Sequence, residues 1–115
     1  MLSVSSLPKG ESRIQDILQK LDEDMKNNPG LNYHRTSLED LSTIYPGAMK
    51  EHYTFDVHMA QGKVFHLFGA TLLLPQTTGT VWILTAGCDP LDWDPIREEM
   101  NQTATLLGHA AGHEQ

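Results

Sequence analysis

The chain has 115 residues, is 39% hydrophobic, and carries 15 Asp+Glu against 8 Lys+Arg, a formal charge of −7. That length supports one core burying about two-thirds of the extended chain's surface, and acidity without any Lys/Arg cluster excludes the electrostatics of a nucleic-acid binder. No apolar run approaches the roughly 18 residues of a membrane span, the opening MLSVSSLPKGES lacks a secretory pattern, and the single Cys88 rules out an internal disulfide and fits a reducing, cytoplasmic setting.

Residues 1–11 form a flexible lead-in by composition, ahead of one α+β domain over 12–108 and a disordered tail over 109–115. Ser12 and Gln15 make an S-x-x-Q capping box. Ile14, Ile17, Leu18, Leu21 and Met25 then repeat with helical period, predicting a helix over 12–27 that ends at Asn27-Asn28-Pro29-Gly30. Leu31 and Tyr33 alternate with polar neighbours, predicting a short strand near 31–37. The segment 37–44 fits either a continued strand or a helical turn, and Tyr45-Pro46-Gly47 turns the chain.

From Ala48 the period becomes two. Met49, Tyr53, Phe55, Val57 and Met59 face one side, with Lys50, His52, Thr54, Asp56 and His58 on the other. Ala60-Gln61-Gly62-Lys63 makes a hairpin turn. Val64–Leu74 and Thr80–Ala86 are apolar on both faces, as central strands are. Short turns predict Val57 opposite His66, Phe55 opposite Phe68, Leu72 opposite Trp82 and Ala70 opposite Leu84. A first turn one residue longer flips that alignment. Asp94 as N-cap and Pro95 at the first helical position open a second helix, with Ile96, Met100, Thr103 and Leu107 on one face and Gly108 closing it. The class is therefore α+β: an antiparallel β-sheet meander flanked by an N-terminal and a C-terminal helix.

Chemistry is sparse. Asp56 and His58 share a strand face, but His52 and His58 are roughly 20 Å apart on an extended chain and cannot share an ion. The predicted register puts His66 on the apolar face and opposite Cys88, the one arrangement that would give the thiol a base. His109 and His113 have a helical metal-pair spacing but fall in the tail. The acidic pairs, Asp22/Asp24 among them, lie on helix faces, caps and loops, where they solvate the surface. No phosphate-loop, dinucleotide, nucleophile-elbow or zinc-protease motif occurs. No catalytic residue, metal or cofactor is expected. Trp82 is a core candidate, and Trp93 serves either as a cover over the sheet end or as an exposed anchor.

The runs I-L-Q-K-L (17–21), L-N-Y (31–33), H-Y-T-F-D-V (52–57), V-F-H-L-F (64–68), V-W-I-L-T-A (81–86) and D-P-L-D-W-D-P-I-R-E-E-M (89–100) together resemble the DcrB/PsbP-like family, which includes chaperones associated with type VI secretion effectors. That resemblance implies a PsbP-like fold and a binding role without catalytic residues. Members of the family open with a strand pair bearing a proline-tryptophan signature. This chain has only its short lead-in there, so the expectation is a trimmed domain or a sheet edge completed by another chain.

The functional expectation is a non-enzymatic chaperone or adaptor, possessing more apolar strand surface than so small a body hides. Tyr53, Phe65, Leu67, Leu73, Val81 and Ile83, with Trp93, would cover an apolar segment of a partner protein, a secreted effector for instance, or mediate a homodimer. The alternatives are a small metal- or thiol-dependent enzyme built on Asp56, His58, His66 or Cys88, and an inhibitor of the toxin-immunity type.

Overall fold

In the computed structural model, which describes residues 2–8, 13–76 and 79–113, five strands form one antiparallel sheet. They are β1 (Leu2–Pro8), β2 (His34–Asp40), β3 (Met49–His58), β4 (Val64–Pro75) and β5 (Thr80–Cys88), in the spatial order β1-β5-β4-β3-β2. Strands β2 to β5 are the expected meander. The lead-in is not loose: its residues 2–8 pair along β5 from Leu2↔Ala86 to Pro8↔Thr80. The chain thus supplies its own outer strand, where a trimmed domain or an edge completed by another chain was expected.

Helix α1 (Ile14–Lys26) lies on one face of the sheet and α2 (Trp93–His113) on the other. Ile14, Ile17 and Leu18 of α1 pack on Leu73, Val81 and Ile83. Met100 and Ala104 of α2 pack on Leu72, Leu74, Leu84 and Ala86. Burying one such aliphatic side chain contributes about 1.5–3 kcal/mol, so alternate residues of β4 and β5 feed two cores at once. Both faces of the central strands are capped from within the chain. This corrects the expectation of a sheet left open there: Tyr53, Leu73, Val81 and Ile83 are buried and offer nothing to a partner.

Local chemistry explains the shifted boundaries. Helix α1 starts after Arg13, whose side chain makes no cap; Ser12 of the expected capping box lies outside the described residues. After α1, Pro29–Leu31 form a 3₁₀ turn and Asn32 takes a left-handed backbone (φ 48°), a conformation that asparagine tolerates. Strand β2 therefore begins at His34 rather than at 31, continues to Asp40, and resolves the ambiguous 37–44 segment into strand followed by turn. Asp89, not Asp94, does the capping near α2: its carboxylate accepts from the Leu91 N–H at 2.9 Å at the head of a 3₁₀ turn over Pro90–Asp92. The helix then starts at Trp93 and runs past Gly108 to His113, against the expectation of a stop at 108 and a disordered tail. The side chains of His109 and His113 lie outside the described residues.

Register decides the rest. The β3–β4 loop is one residue longer than its minimum, because Gln61 (φ 67°) and Gly62 (φ 78°) are both left-handed. The Met59 N–H then donates to the Lys63 carbonyl at 2.7 Å. Asp56 consequently pairs with His66, Phe55 with Leu67 and Val57 with Phe65, the flipped alignment. Phe55 and Val57 thus face away from Phe68, Leu72 and Leu84. At the β4–β5 hairpin the pairing moves by two residues, Leu72↔Leu84 and Ala70↔Ala86, so face membership survives. Phe68, not His66, opposes Cys88.

The body is elongated, 52 × 30 × 22 Å, and its 7325 Å² surface exceeds the roughly 6,300 Å² expected of a compact chain of this mass. Part of the excess is the far half of the β3–β4 hairpin, which contributes to neither helix-covered core.

Candidate functional site

The projecting hairpin gathers most of the exposed aromatic surface. Phe65 is 47% exposed, Phe68 39%, Val64 39% and Met59, at the tip, 51%. Leu67, Val57 and Phe55 are half-buried. Because β3 and β4 alternate, Phe65 and Leu67 project from the α1 face, and Val64 and Phe68 from the α2 face. Of the residues expected to bind a partner, Phe65 and Leu67 lie here. Trp93 stands close by, half-buried, edge-on to His52 (6.0 Å between centroids) and to Phe68 (6.4 Å). It partly covers the sheet, and with His52, Thr54, Phe68, Thr36 and Ser37 it lines an open groove of about 330 Å³.

The next rung along that face is polar. His66 Nδ1 lies 2.6 Å from Asp56 Oδ1, and Asn32 Nδ2 donates to Asp56 Oδ2 at 3.1 Å. These two contacts, the His66 bond first, hold the Asp56 carboxyl below its ordinary range. The imidazole is mostly exposed. Among the described residues no hydroxyl or thiol is hydrogen-bonded to it, and no cluster of three His, Cys, Asp or Glu is placed to hold a metal ion. His52 is bonded to Ser37 Oγ at 3.0 Å, and burial pushes its pKa down. Burial pushes the Cys88 thiol up, with Asp92 and Asp89 adding to the rise, the opposite of an activated nucleophile.

A second cluster, under α1, is one that sequence patterning overlooks. Glu51 occupies the apolar alternation of β3 between Met49 and Tyr53 and is 0% exposed; its Oε1 has no hydrogen-bond partner among the described residues. Tyr33 Oη lies 3.0 Å from Asp22 Oδ1 and 3.2 Å from Glu51 Oε2, and Arg35 Nη1 is 3.5 Å from Asp22 Oδ2. One phenolic proton cannot serve both carboxylates at once. Burial, reinforced by Asp22, pushes Glu51 up to about 8. Burial and the neighbouring Glu51 charge push the Tyr33 phenol up as well. Asp22 is thus buried beside another carboxyl rather than solvated, correcting its expected role. The available signal was a charged residue inside a strict apolar alternation.

Aromatic rings continue this layer toward the hairpin: Tyr33 to Tyr53 at 5.3 Å and Tyr53 to Phe55 at 5.9 Å, with Tyr53 Oη 3.1 Å from Thr71 Oγ1. The rings lie flat over β4 and β5 because Gly69 and Gly87 stand beneath them. A Cβ on Gly69 would intrude on the Tyr53 ring and come within 3.0 Å of Phe55.

The fold and these clusters define an α+β protein whose five-stranded sheet is sandwiched between two helices and extends beyond them as an apolar hairpin. Comparison of the chain with protein-family models, with curated proteins and with solved structures found no match. No helix among the described residues is long and apolar enough to cross a membrane.

Proposed function

We propose that the chain is a non-enzymatic protein-binding module, chaperone- or adaptor-like, that covers an apolar segment of a partner protein with its projecting β3–β4 hairpin. The carrying observation is that Val64, Phe65 and Phe68, on both faces of one hairpin, leave large apolar side chains in water, Phe68 beside Trp93 at the start of α2 and the other two nearer the turn. Such surface costs solubility and recurs where proteins meet. The role implied by the resemblance to PsbP-like effector chaperones points the same way, with an effector as partner in a cytoplasmic setting. The experiment is titration with an apolar dye and with amphipathic peptides, comparing the native chain with Phe65→Asp and Phe68→Asp. Binding that falls at least about tenfold in both variants, while their melting stays cooperative, supports the role. A native chain that binds neither probe, or variants that bind undiminished, overturns it.

A second reading rests on the 2.6 Å Asp56–His66 pair beside the Trp93 groove: an acid–base site for a small substrate rather than a docking hairpin. Under it, His66→Gln abolishes turnover of a candidate substrate while peptide binding is unchanged. An inhibitor of toxin-immunity type is the special case in which the partner is basic, and strong weakening of binding by salt marks it.

A further inference from the structure

We infer that the outer edge of β1 pairs with β1 of a second copy of this chain, antiparallel about a two-fold axis, joining two five-stranded sheets into one of ten. The observation is a difference between the two edges of the sheet. Strand β2 carries His34, Arg35, Glu39 and Asp40, and its register breaks between Arg35 and Ser37. Charge and irregularity of that kind deter edge-to-edge pairing. Strand β1, LSVSSLP, has no charged residue and no break, and matches β5 residue by residue over its whole length. Its outward N–H and C=O groups are therefore a straight, uncharged template.

The composition of β1 points to a copy of itself as the occupant. Laid antiparallel about Ser5, Ser3 opposes Leu7 and Val4 opposes Ser6, so Val4 and Leu7 each meet a serine, and Leu2 meets Pro8 at the two ends. No like charges meet, although the chain as a whole carries −7. Val4, 44% exposed in the single chain, gains a neighbour in the pair. This inference is independent of the hairpin's role, and the two are separable by variant.

The experiment is sedimentation equilibrium of the native chain from about 5 to 200 µM, with Val4→Lys and Phe65→Asp alongside. The expected result is a monomer–dimer equilibrium whose dissociation constant rises at least about tenfold in Val4→Lys and is unmoved in Phe65→Asp. Should the lysine disturb β1 itself, seen as a lowered melting temperature, Ser5→Cys in a Cys88→Ser background takes over. Oxidation of that variant should cross-link two chains at the axis. A native chain that is monomeric throughout, a dimer indifferent to Val4→Lys in a fully folded variant, or a Ser5→Cys chain that does not cross-link overturns the inference.

Discussion

The near and far halves of β4 are built largely from the same kind of residue and end in opposite environments. Near the helices, Leu72, Leu73 and Leu74 are sealed on both sides. Toward the turn, Val64, Phe65 and Phe68 alternate the same way and stand in water. An apolar strand therefore does not by itself announce a missing partner; what matters is how far along it the chain's own helices reach. The contrast also relocates the candidate interface from the sheet centre to its end.

The largest effect that would sharpen this contrast is in the sealed half. Leu72→Ala or Leu84→Ala should each cost about 2–5 kcal/mol in urea denaturation, by lost transfer energy plus the cavity left behind. At the boundary between the halves, Gly69→Ala drives a methyl into the Tyr53 ring and should cost about 1–3 kcal/mol, as overpacked sites do. In the projecting half, Phe65→Ala should change stability by less than about 1 kcal/mol; a loss matching that of Leu72→Ala would break the comparison.

Acid–base behaviour separates the halves too. A glutamate of ordinary pKa 4.5 is held near 8 at Glu51, so the native state keeps a proton that the unfolded chain has released. Its stabilisation is complete below about pH 4.5 and fades as pH rises to about 8. His52, with its pKa lowered from 6.5, acts in the opposite sense only below that value. Melting temperature should therefore fall from about pH 6.5 to 8.5, and Glu51→Gln should flatten the profile. The smallest effect belongs to the exposed pair. The Asp56 carboxyl, followed by NMR titration, should titrate below 3.8 and return toward that value in His66→Ala, with melting near neutral pH lowered only slightly.

Much of this architecture was legible in the residues. The Ile14–Met25 stripe, the clean alternation from Met49 and the doubly apolar β4 and β5 are strong periodic signals, and each became its element. The shortfalls have physical causes. Strand β1 is serine-rich, and its apolar residues, Leu2, Val4 and Leu7, fall on both faces; only pairing to a segment some eighty residues away makes it a strand. The first hairpin's register turned on the left-handed Gln61, a conformation that glutamine does not advertise. That single residue brought Asp56 opposite His66, while the two-residue shift of the β4–β5 pairing separated His66 from Cys88. Of the candidate site, Phe65, Leu67 and Trp93 were recognisable by type; the burial of Tyr53, Leu73, Val81 and Ile83 was not, because helix reach is a tertiary property.

The Leu2↔Ala86 pairing also sets an order of events in folding. The β2–β5 meander closes through short loops, whereas β1 must bridge a very large loop before its first hydrogen bond forms, and loop closure of that span is slow and entropically costly. Strand β1 should thus be the last element to join and the first to leave, its amides exchanging with solvent deuterium ahead of those in β4.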